Sequence, residues 1–154
     1  MTDDRYDYAL GIDPGTSTGV ALAIPEPEAR GYRWEELQTL PLHRALAYVQ
    51  ELVLRLSSEP GCQRVLVVVE DARQISGPAH QKLGAGSIRR DCNVWEELLA
   101  DLDAEVDGLR TIFVKPTRAT LRKLTAEQLA RYTGCQLKGS QHARDAVGVL
   151  FPYL

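Results

Sequence analysis

The run from Val65 to Glu70 (VLVVVE) constrains this chain more than any other stretch. Side chains of a strand alternate between faces, so an unbroken apolar, mostly β-branched run needs cover on both sides, the pattern of a central strand. A second strand, Tyr8 to Asp13 (YALGID), is predicted to lie beside it, and Pro14-Gly15 then turns the chain. Thr18 to Ile24 and Tyr32 to Leu40, separated by a turn at Pro25 to Gly31, complete an antiparallel meander with the first strand.

The remaining segments read mostly as helices. Pro41 opens one in which Leu42, Leu46, Val49, Leu52, Val53 and Leu56 recur at three- and four-residue steps, ending before Pro60-Gly61. Ala72 to Ser87, with Gly77, Pro78, Gly84 and Gly86, reads as a long loop, which in a compact domain usually serves function. A helix is predicted from Ile88 to Leu102, with Val94, Trp95, Leu98, Leu99 and Leu102 along one side, then a short strand, Thr111 to Val114, broken by Lys115-Pro116. Thr117 to Leu124, Ala126 to Tyr132 and Gln141 to Phe151 are expected to be helical. The order is that of an α/β protein with a mixed sheet and helices on both faces, and it names no function.

Residues 1–154 fit one domain with a real core. No stretch approaches the roughly 18 apolar residues of a membrane span, and the N-terminus, MTDDRYDY, is acidic where a signal peptide is basic, so a cytoplasmic protein is expected. Cys62, Cys92 and Cys135 are odd in number and widely spaced, which suits reduced packing residues rather than a disulfide framework or paired zinc ligands. The net charge of −3 speaks against a nucleic-acid partner, but its distribution reverses that. Met1 to Leu109 holds 10 Lys and Arg against 19 Asp and Glu, whereas Arg110 to Leu154 holds 8 against 2. A basic face on an otherwise acidic chain is one reading, and a solvated basic segment is the other.

Asp13 ends the first strand on the face of Ala9 and Gly11, where small neighbours leave room for an ion or a phosphate; alone it reads equally as the cap of the Pro14-Gly15 turn. The glycines of GIDPGTSTG are similar to an actin-like phosphate loop, whose proteins need a second lobe that this length lacks. Glu70 closes its strand as Asp13 closes the first. If the strands are parallel neighbours, the two carboxylates meet at one sheet edge, a costly arrangement without a cation. Asp71 points to the opposite face and ranks second. His142 and Asp145, three apart in the last helix, share one side of it. Ser140 is the expected N-cap, and the positive helix end favours a neutral imidazole for His142, as a ligand or base. Carboxylates with one imidazole suit Mg²⁺ or Mn²⁺ better than structural zinc. Two such ions about 4 Å apart are the common arrangement for phosphodiester cleavage, with Asp13 shared and Glu70 and Asp145 holding one each.

Taken in order, GIDPGTSTG, a strand ending in Glu, a glycine-rich loop entering a helix and a late SQHARDAVGV resemble the RuvC family of Holliday junction resolvases. The resemblance implies an RNase H-like five-stranded sheet of order 3-2-1-4-5, a homodimer helped by the second helix, paired nicks in branched DNA, and catalytic metal ligands at Asp13, Glu70, His142 and Asp145. The segment DARQISGPAH offers no aromatic wedge, so Arg73, Gln74 or Ile75 would have to substitute, and the shortness of the chain suits a compact, phage-encoded relative. DNA contacts are expected from Arg73, Gln74, Arg89, Arg90, Lys115, Arg118, Arg122, Lys123, Lys138 and Arg144. Alternatives are an RNA-processing nuclease of YqgF-like kind and a non-catalytic junction-binding protein.

Overall fold

A computed structural model of the chain describes residues 5–26, 28, 29, 31–75, 85–116 and 123–154. Their strands are β1 (Tyr8–Asp13), β2 (Ser17–Glu26), β3 (Gly31–Pro41), β4 (Val65–Glu70) and β5 (Leu109–Val114). The helices are α1 (Leu42–Ser57), α2 (Ala85–Glu105), α3 (Ala126–Thr133) and α4 (Gln141–Leu150), with 3₁₀ turns at Ala72–Gln74 and Phe151–Tyr153. The sheet order is β3-β2-β1-β4-β5, antiparallel through the meander and parallel from β1 to β4 to β5.

Period-two alternation divides the core. Leu10, Ile12, Val65, Val67 and Val69 face one way, onto Val49, Leu52 and Val53 of α1 and Trp95, Leu99 and Leu102 of α2. Ala9, Leu66 and Val68 face the other way, onto Leu129 of α3 and Ala146, Val147 and Leu150 of α4. VLVVVE is thus covered on both sides, as its composition requires. In α2, Trp95 and Leu99 are core while Val94 and Leu98 are half-buried, so most of that stripe is spent inside the chain.

Several boundaries differ from those the sequence predicts, three of them for a clear physical reason. Helix α2 covers Ala85–Glu105, so Ala85 to Ser87 is helix rather than loop, a single glycine at position 86 costing it only about 1 kcal/mol, while 76–84 of the expected loop lie outside the described residues. Strand β5 starts at Leu109, because parallel pairing with Val65 and Leu66 extends it past its apolar portion. The last helix stops at Leu150 and tightens into the 3₁₀ turn, with Pro152 near its start. The helix expected over Thr117 to Leu124 lies largely outside the described residues, as do Arg118 and Arg122. Thr125, Glu127 and Gln128 open α3 with a capping box, Thr125 and Gln128 bonding reciprocally, and Gly134 ends it in the left-handed conformation.

Candidate metal centre

The parallel β1–β4 pair aligns Ile12 with Val69, so Asp13 and Glu70 leave adjacent strand ends on one face, the face covered by α4. That helix packs closely against the sheet. A methyl group at Gly19 would collide with the backbone carbonyl of His142, and one at Gly11 with the carbonyl of Ala146 and the Cβ of Leu150. Only glycine at these two positions lets the first turn of α4 come down over the end of β1.

The consequence is convergence. One potential ligand atom from each of Asp13, His142 and Asp145 lies within 4.8 Å of the others. His142 Nδ1 is 3.4 Å from Asp13 Oδ2, and the imidazole is half exposed while the Asp13 side chain keeps 14% of its accessible surface. Glu70 is not part of this tight group, but its charge is felt there. Burial, Glu70 and then Asp145 push the Asp13 carboxyl up to about 8 from 3.8, and Lys123 only partly offsets them. Acids pressed together in a half-buried place, with one imidazole, are a donor set suited to a hard divalent cation.

Asp145 is held on both oxygens. Gln141 Nε2 donates to Oδ1 at 2.7 Å and Lys123 Nζ to Oδ2 at 3.2 Å. Gln141 is oriented in turn by Arg144, whose Nη2 donates to Gln141 Oε1 while Nη1 donates to the Gly139 carbonyl. The sequence reading missed Gln141. Its four-residue spacing from Asp145 was the available signal. Arg144, expected at the DNA, spends its guanidinium inside the protein, tying the entry of α4 to its first turn. Ser140 is the N-cap residue but makes no capping bond, because its hydroxyl pairs with that of Thr39 on β3.

Other expected site residues separate clearly. Asp71 points away from the centre, as its register requires. It is buried, caps the 3₁₀ turn at Arg73 N, and forms a two-pronged ion pair with the Arg73 guanidinium, which holds the carboxyl below the usual range against its burial. Arg73 also reaches Glu96 and Asn93 of α2, so its donors too are engaged within the chain. Gln74, Arg89, Arg90, Lys115, Lys123 and Lys138 are exposed. Lys115 follows the β5 end that pairs with Glu70 and Lys123 reaches Asp145, so these two border the acidic centre, while Lys138 lies in the segment that leads into α4.

No protein-family model matches the sequence, and no curated protein does. Solved structures do resemble it. T. thermophilus RuvC in complex with a Holliday junction substrate superposes with a TM-score of 0.58 at 15% identity, covering 94% of this chain and 90% of that one. The fold is RuvC-type. The fowlpox virus Holliday junction resolvase matches with a TM-score of 0.52 at 10% identity over 92% of this chain and 94% of its own. Yeast mitochondrial Ydc2, also a Holliday junction resolvase, gives 0.51 at 12% over 92% and 75%. The strand order 3-2-1-4-5 is the one that the family resemblance implies. Among the described residues, no helix is long and apolar enough to cross a membrane.

Proposed function

We propose that this chain is a divalent-metal-dependent, structure-selective DNA endonuclease that nicks four-way or otherwise branched DNA, acting as a homodimer. The observation that carries the reading is the convergence of Asp13, His142 and Asp145, with Glu70 on the adjacent strand end, in a RuvC-type fold. The similar proteins of that fold are Holliday junction resolvases by name.

Asp13, whose carboxyl feels the charges of Glu70 and Asp145, would hold the metal together with Glu70, Asp145 and His142. Mg²⁺ or Mn²⁺ bound there supplies Lewis-acid polarisation of the phosphate and a water of lowered pKa. The chain's own groups do the rest. His142, half exposed in the first turn of α4 and 3.4 Å from Asp13, would orient a water or accept its proton. Gln141 fixes the rotamer of Asp145, and Lys115, Lys123 and Lys138 offer charge to the phosphates on either side.

Labelled four-way, flap and linear DNA, and RNA of matched sequence, incubated with and without Mg²⁺ or Mn²⁺, tests this directly. Cation-dependent nicks near the branch are expected. Asp13→Asn and Glu70→Gln should each lower the nicking rate at least a hundredfold, since even partners behind a metal ligand contribute about ten- to a hundredfold, while junction binding stays nearly intact. Full nicking by either variant refutes the metal cage. Cleavage of RNA alone moves the substrate, and binding without any cation-dependent cleavage makes the chain a binding protein only.

A further inference from the structure

Beside the acidic centre, a cleft of about 400 Å³ runs between β5 and the C-terminal half of α4. Glu70 stands in its wall, Val114 and buried Val149 supply apolar surface, Lys115 lies at its exposed margin, and Pro152 and Tyr153 of the terminal 3₁₀ turn close one side. Tyr153 is 41% exposed, one of few large hydrophobic residues so placed. Phe151, two positions earlier, spends its ring edge-on against Tyr132, whereas Tyr153 lines the cleft.

We infer that this cleft is a subsite for one unstacked nucleobase adjacent to the phosphate being cut, with Tyr153 as its stacking surface. The inference rests on the nuclease reading above. Because Glu70 stands both at the strand end beside Asp13 and in the cleft wall, a strand whose phosphate sits at the centre brings a flanking nucleoside to the cleft. The lining matches that ligand: apolar walls and an aromatic face for the π-surface of a base, and one ammonium at the margin for the next phosphate. Its volume lies within the range of small-molecule clefts, room for a base and not for a duplex. The few polar groups in the wall make the subsite tolerant of base identity, because stacking does not read hydrogen-bonding edges. A base paired inside a duplex must first be unstacked to enter, while one at a branch point is already loose. The cleft therefore favours branched over linear substrate without reading sequence.

The test couples a protein change to a substrate change. Tyr153→Ala should raise the KM for a four-way junction about thirtyfold, the middle of the range for one base–aromatic stack, with kcat and thermal midpoint little changed. Tyr153→Phe should restore it. Single abasic nucleotides placed within three positions of the nick should reproduce the loss in the wild type at one position, and there add nothing in Tyr153→Ala. A 2-aminopurine at that position, with Ca²⁺ in place of Mg²⁺, should be quenched by the wild type and not by Tyr153→Ala. Losses that add fully, or a wild type indifferent to every abasic position, overturn the subsite even if Tyr153→Ala proves unstable, and leave the nuclease reading standing. Failure of the wild type to nick any branched DNA overturns both.

Discussion

At the scale of single residues, the centre is an electrostatic conflict that the protein fold maintains. Asp13 is ionised in an unfolded chain above about pH 4, yet stays protonated in the metal-free fold up to about 8. The folded state therefore holds a proton that the unfolded state releases, and each step of pH through that window weakens the fold. The contribution is fully favourable below pH 3.8 and is lost as pH passes about 8. Asp13→Asn, which cannot ionise, should raise the melting temperature of the metal-free protein at pH 8 by about 3 °C or more, and change little near pH 4. Saturating Mg²⁺ should reverse the order at pH 8, because only the wild type then gains from the ion. Scanning calorimetry at the two pH values, with and without cation, measures all four states, and an Asp13→Asn variant less stable than wild type at pH 8 without metal refutes the conflict.

The elements owe their positions to small residues as much as to large ones. Helix α4 brings His142 and Asp145 to the strand ends only because Gly11 and Gly19 let it lie against β1 and β2. Gly19→Ala places a methyl group against the His142 carbonyl, and backbone cannot swing aside as a flexible side chain would, so the first turn of α4 must lift. A stability loss of about 1–3 kcal/mol is expected, the usual effect of overpacking, with at least a tenfold weaker Mn²⁺ affinity. Chemical denaturation and a Mn²⁺ titration read these separately, and unchanged affinity would show that the helix seat does not set the site. The strand ends and the HxxD helix were legible in the sequence because period-two and helical patterns survive in any tertiary setting. Gly19 was not, since a glycine in a strand does not disclose what approaches it. Nor was the helical state of Ala85 to Ser87, where Gly86 mimics loop chemistry, or the use of Arg73 and Arg144, since a charged side chain reads as solvated until its partners are placed.

For the molecule as a whole, the question is how a chain of net charge −3 would hold a polyanion. The structure sorts the basic C-terminal portion. Among the described residues, Arg131 pairs with Glu127, Arg110 donates to Tyr6, and Arg144 is absorbed at the entry of α4, while Lys115 and Lys123 stand exposed beside the acidic centre and Lys138 stands exposed ahead of α4. Binding would then be driven by a few cations held close to the site, with acidic surface elsewhere to repel misplaced duplex. Counterion release makes this measurable, because each phosphate neutralised adds about 0.9 to the slope of log affinity against log salt. Lys138→Ala should shallow that slope for junction binding by about one and leave the thermal midpoint unchanged. Arg144→Ala should do the opposite, lowering the midpoint and metal affinity through Gln141 and Asp145 while leaving the slope as it was. Anisotropy titrations from low to moderate salt distinguish the two, and an Arg144→Ala slope that falls as far as that of Lys138→Ala would place its guanidinium on the DNA after all.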